Sequence, residues 1–157
     1  MARRQIVIEG MCRQIAKEAP ESLGHLTFIA EHFGLDSKEP LTFTEAGLGQ
    51  AEAWYRHLAK KGFTDEPPFD RENYERLMGH FLGETLIRES GGEWHPYVGG
   101  DYTLSPVVIR FPDRGWAIDV TVMCTDLING RSRGFRQGQA LQRFFQSARK
   151  IANLRAK

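Results

Sequence analysis

The apolar residues of this chain keep one period up to residue 90 and another after Gly91-Gly92, and that change limits the folds open to it. Before the glycine pair, Leu, Phe, Tyr, Ile and Ala return every three or four residues, the spacing of one helix face. After it, Trp116, Ile118, Val120 and Val122 alternate with Ala117, Asp119, Thr121 and Met123, which suits a strand with one buried face. Near the C-terminus the helical spacing returns. Helices, then a short antiparallel sheet, then a last helix indicate an α+β protein rather than a wound parallel sheet.

Local signals divide the chain further. A helix is predicted over 5–19, stopped by Pro20, and a second from an N-cap at Ser22 to a glycine stop at Gly34. Thr44 caps a third helix, which ends at Lys60-Lys61-Gly62 with a left-handed glycine, Phe63 folding back behind it. Pro67-Pro68 requires an extended link. The fourth helix starts at Asp70 and runs to Gly91-Gly92, with Gly79 and Gly83 inside it. Each interior glycine costs about 1 kcal/mol against alanine, so something is expected to approach that ridge closely. Strands follow over 93–98, 103–111 and 116–123; the last two form a hairpin across Pro112-Asp113-Arg114-Gly115, and Asn129-Gly130 makes another turn. The final helix, 135–154, gathers Leu141, Phe144, Phe145, Ala148, Ile151 and Ala152 on one arc. It and helix 70–90 are expected to cover the roughly three-stranded sheet. A length of 157 residues fits one domain, with a helical part over 1–69 and a helix–sheet–helix part over 70–157.

Composition narrows the setting. No run of about 18 apolar residues occurs, and the basic start Met1-Ala2-Arg3-Arg4 leads into no long apolar core, so neither a membrane span nor a signal peptide is expected. Cys12 and Cys124 lack the number and spacing of a secreted disulfide framework, which points to reduced thiols and a cytoplasmic setting, with a single buried disulfide left open. Charge is uneven: the net is −1 over 1–40, −6 over 41–130 and +8 over 131–157. An acidic body thus carries a basic C-terminal segment.

Motifs for chemistry are sparse. There is no HExxH, CxxC, GxxxxGK[ST] or GxGxxG, and no catalytic residues, cofactor or metal are assigned. Gly47 and Gly49 stand two apart without the third glycine of a phosphate loop. His80 and Glu84 are neighbours four apart on one helix, and His95 follows the helix stop, so these three form the candidate polar cluster. Glu84 lies at the edge of the apolar face and needs a partner there, either Arg88, Arg110 or a strand amide in a structural role, or a proton to abstract in a catalytic one. In the last helix Arg136, Arg143 and Lys150 recur every seven residues and line up within about 40°.

Residues 81–134 also carry a resemblance. Phe81-Leu82-Gly83-Glu84-Thr85-Leu86-Ile87 is followed by Gly91-Gly92-Glu93-Trp94, two strands and Asn129-Gly130-Arg131. This resembles a loose group of uncharacterised bacterial α+β domains, in which a Gly-Glu helix leads through Gly-x-x-Trp into a small sheet. Some of that group resemble immunity proteins of interbacterial toxin systems. The likeness covers about a third of the chain and leaves 1–69 outside. It implies a helix-to-strand corner in which Glu84 and Trp94 are structural, and it carries over no catalytic residues.

Three functions are then expected in order. The first is a non-enzymatic binding protein, an immunity protein facing a cognate toxin, with Arg136, Arg143 and Lys150 as its partner-binding residues. The second is a small enzyme using Glu84 with His80 or His95. The third is a nucleic-acid-binding module tracking a phosphate backbone along the basic helix. The apolar helix faces exceed what a short sheet can cover, which leaves room for a dimer.

Overall fold

A computed structural model describes residues 2–35, 39–96, 107–111, 116–118, 121–130 and 139–155. The order is α1 (Ala2–Glu18), a 3₁₀ turn (Ala19–Glu21), α2 (Ser22–His32), α3 (Glu45–Lys61), α4 (Arg71–Ser90), β1 (Glu93–Pro96), β2 (Val107–Phe111), β3 (Trp116–Ile118), α5 (Thr121–Ile128) and α6 (Ala140–Arg155). The protein is mostly helical with a small antiparallel sheet, an α+β arrangement. Within the sheet β2 is central: Trp94 pairs with Ile109 on one side, and Ile118 pairs with Ile109 on the other.

Two helix starts follow from side-chain capping. Thr44 Oγ1 accepts from the Gly47 amide at 3.1 Å, and Asp70 accepts from the Asn73 amide at 3.1 Å. Gly91 closes α4 in the left-handed region, at φ 73°. Other boundaries differ from the sequence expectation. Ser22 caps nothing: the 3₁₀ turn at Pro20 carries the chain from α1 into α2 without a free end, and the Ser22 hydroxyl donates back to the Ala19 carbonyl at 2.6 Å. Gly62 is not left-handed, having φ −144°. A side chain is excluded there because a Cβ would come within 2.5 Å of Leu58 Cδ2. Phe63 does fold back, its amide donating to the Leu58 carbonyl at 3.2 Å and its ring lying against Tyr55 and Tyr74.

The third strand is shorter than expected. Residues 121–123, predicted as strand, begin α5 instead. The run Thr121-Val122-Met123 has strand-like residues, but Cys124 and Ile128, four apart, are both fully buried, and α5 lies along α4. Tertiary packing overrides the local preference. The segments 97–106, 112–115, 119–120 and 131–138, which include the expected hairpin turn and the start of the last helix, lie outside the described residues.

The core sits on α4. Tyr74, Met78, Phe81, Leu82 and Leu86 are all sealed from solvent and face α2, α3, α5 and α6. The apolar arc of α6 (Leu141, Phe144, Phe145, Ala148) is buried as expected, but it meets α3, α4 and α5 rather than the sheet. The contacts with the strands come instead from α1, on β1 and β2, and from α4, on β2. Burying Leu141, Phe144 and Phe145 stabilises the docked helix by about 1.5–3 kcal/mol for each side chain removed from water.

Candidate functional site

Glu84 and Trp94 meet at the corner where α4 turns into β1. Glu84 is buried and its two oxygens are divided: Arg88 Nε donates to Oε2 at 3.2 Å, and Trp94 Nε1 donates to Oε1 at 3.4 Å. The indole comes so close to α4 that a Cβ on Gly83 would collide with Trp94 Cη2 and Cζ2. Gly83 is therefore the glycine that the close approach requires. Arg88 also lies over the Phe43 ring, 4.1 Å from its centre, which fixes the guanidinium from its other side. With both oxygens accepting from the fold, this carboxylate has the geometry of a structural tie.

His80 is one turn back on α4 and 3% exposed. Its ring meets Trp94 edge-on at 6.3 Å, and Nδ1 has no hydrogen-bond partner among the described residues. Burial first, then the charge of Arg76, pull its pKa from 6.5 down to about 4, so the ring is held neutral. His95 is half-buried on β1 and follows Trp94, so strand alternation turns it to the opposite face of the sheet. The expected trio is thus split: Trp94 joins Glu84 and His80, and His95 stands apart. Among the described residues no group of three His, Cys, Asp or Glu could hold a metal ion.

Gly47 in α3 has a packing reason, since a Cβ there would run into the Thr42 carbonyl; at Gly49 a Cβ would meet only the flexible end of the Gln142 side chain.

Along α6, Arg143 and Lys150 are exposed and lie opposite the buried arc; Arg136 falls outside the described residues. Arg143 reaches only the Gln139 side chain, at 3.4 Å. Arg149, a neighbour of Lys150 in sequence, behaves differently: it bridges Glu45 at 3.6 Å and Glu89 at 3.8 Å, and Gln146 bonds Glu45 beside it. Arg149, Glu45 and Glu89, with Phe43, Phe145 and Gln142, line an open groove of about 490 Å³.

Two polar arrangements escape sequence reasoning. Glu52 is fully buried on α3, and its carboxylate takes the first two amides of α6, Ala140 N–H at 3.3 Å and Leu141 N–H at 2.8 Å. It is an N-cap supplied from 88 residues away, satisfying amides that a helix start leaves unpaired. Tyr55, Arg71, Glu75 and Asn129 form the second. The Tyr55 hydroxyl donates to Glu75 Oε1 at 2.6 Å and accepts from Arg71 Nε at 2.9 Å. Asn129 accepts from Arg71 Nη2 at 2.7 Å and donates to Glu75 Oε1 at 3.1 Å and to the Thr125 carbonyl at 2.8 Å. Burial, then the bond to Glu75, push the Tyr55 pKa up to about 12, so the phenol keeps its proton. The cluster floors an open cleft of about 480 Å³ with Glu72 at its edge. Arg71 and Glu75 are four apart on α4, and the packing of α3 and α5 on α4 joins them to Tyr55 and Asn129.

No protein family, characterised protein or solved structure matches the chain. No helix among the described residues is long and apolar enough to cross a membrane.

Proposed function

We propose that the chain is a non-enzymatic protein-binding domain, and that the exposed face of α6 docks an acidic surface of its partner. One observation carries this reading: Arg143 and Lys150 stand in solvent on one face of α6, with no carboxylate in salt-bridge distance among the described residues, whereas Arg149 on the same helix bridges Glu45 and Glu89. Cations left free on a rigid helix raise association rate and select for an acidic partner. Arg136, seven residues before Arg143, lies outside the described residues. The resemblance of residues 81–134 makes a toxin the partner class and the chain a cytoplasmic immunity protein; the two free, buried thiols suit that reducing setting. The catalytic alternative through Glu84 is disfavoured, because Arg88 and Trp94 occupy the oxygens a base would need.

The test compares the wild type with the variant Arg143→Glu/Lys150→Glu in pull-downs from the native lysate, with the fold monitored by circular dichroism. An acidic protein retained in stoichiometric amount by the wild type, and at least tenfold less by the folded variant, is the expected result. Equal retention by both removes α6 from the interface. Retention of duplex nucleic acid, lost in the variant and steeply weakened by salt, would transfer the stripe to the phosphate-backbone reading.

A further inference from the structure

Phe69, in the loop between α3 and α4, is the centre of an aromatic stack on the surface. His32 lies flat against it at 3.7 Å with 12° between the planes, and Phe28 stacks from another side at 5.9 Å. Phe33 meets it edge-on at 5.8 Å. Phe28 and His32 are one turn apart on α2, so both rings reach the same strip of surface. Phe28 is 55% exposed and His32 is exposed. The platform is held in place: Thr64 N–H donates to the Phe69 carbonyl at 3.0 Å, and Phe69 N–H donates to the Glu66 carbonyl at 2.9 Å. The exposed rings of Phe28 and His32, stacked on the half-buried Phe69 of a closed loop, are pre-organised and have area to lose on contact.

Its surroundings are acidic. Glu31 adjoins His32 on α2, Asp65 and Glu66 precede Phe69, and Glu72 follows on the first turn of α4; all four are exposed. Arg71, the nearest cation in sequence, bonds into the Tyr55–Glu75–Asn129 network, and Lys60 and Lys61 end α3. Aromatic faces carry negative quadrupoles, and carboxylates beside them add to the same field, so the occupant with matching chemistry is a cation.

We propose that the Phe28–His32–Phe69 platform is a second docking surface, which seats an arginine or lysine side chain of a partner protein over its rings with the carboxylates of Glu31, Asp65, Glu66 and Glu72 around it. It is independent of the α6 face, having the opposite charge and different residues. A partner engaged at both would present an acidic patch to one and a cationic segment to the other.

The probe is the blocked peptide Gly-Arg-Gly-Arg-Gly, with its glutamate analogue as control, titrated into ¹⁵N-labelled protein. Shifts confined to α2 around Phe28 and His32 and to the 64–69 loop are expected with the arginine peptide alone. Phe28→Ala, which removes a mostly exposed ring and leaves the fold intact, should weaken that binding at least fivefold; Asp65→Asn/Glu66→Gln should weaken it at least threefold and flatten its salt dependence. Arg143→Glu/Lys150→Glu should leave it unchanged. Binding by Phe28→Ala equal to wild type would show a charge effect without the platform and overturn the proposal, as would no shift at millimolar peptide. The same residues shifting with protein concentration in the absence of peptide would identify a second copy as the occupant, which also overturns it.

Discussion

At the scale of single residues the corner between α4 and β1 sets the sharpest expectations. Gly83 has no room for a methyl group against Trp94. Gly83→Ala gains helix propensity of about 1 kcal/mol but forces the indole out, for a net loss of about 1–3 kcal/mol, readable as a lower urea midpoint. His80 makes stability depend on pH in one direction. Its pKa falls from 6.5 in the unfolded chain to about 4 in the fold, so between those values the unfolded state binds the extra proton. This contribution is fully present above about pH 6.5 and is lost as pH falls toward 4. His80→Leu should flatten the stability curve across that window in denaturant titrations; an unaltered slope would mean that the ring titrates normally in the fold. The thiol of Cys124 is sealed, and burial ahead of Glu52 and Glu75 pushes its pKa well up. It should react with a thiol reagent only as fast as the protein unfolds, whereas labelling at the rate of a free thiol would place it at the surface.

At the scale of elements, Glu52 decides whether α6 docks. Replacing it by alanine leaves two buried amides without an acceptor, a loss of about 2–4 kcal/mol. Hydrogen exchange should speed up first at Ala140 and Leu141; uniform acceleration along the whole chain would instead show that the carboxylate supports the global fold without holding this helix end in particular. The helices themselves were legible, because capping and periodicity are local: Thr44, Asp70 and Gly91 act where the sequence places them. What was not legible is long-range. Nothing near Glu52 in sequence announces a helix start 88 residues on, and nothing in Thr121-Val122-Met123 shows that α4 will take the face of Cys124 and Ile128. The candidate cluster was half visible for the same reason. Spacing of four puts His80 beside Glu84, but only the sheet's pleat separates His95 from Trp94.

At the scale of the whole molecule, α4 is the shared wall, and the Tyr55–Arg71–Glu75–Asn129 network ties α3 and the end of α5 to its first turns. Tyr55→Phe and Asn129→Ala remove members of one network, so their stability losses should fall short of additive by about 0.5–2 kcal/mol in a double-mutant cycle, while either paired with Gly83→Ala at the far end of α4 should add. Strict additivity of the first pair would reduce the network to separate surface bonds. The same organisation separates the two proposed docking faces from the core: α6 presents Arg143 and Lys150 outward while its apolar arc is buried, and the aromatic platform lies on α2 and the 62–70 loop.

The borrowed cap on α6 has a consequence for how the chain is made. Synthesis delivers the amino-terminal helices first, at about 5–20 residues per second. While they gather, the carboxylate of Glu52 has no amide of α6 to accept from and stays hydrated. Only when residues 140 and 141 leave the ribosome does the charge find its donors. Because α6 is synthesised after the helices it closes on, it is the latch, and a chain halted before it should be the form that chaperones and proteases recognise.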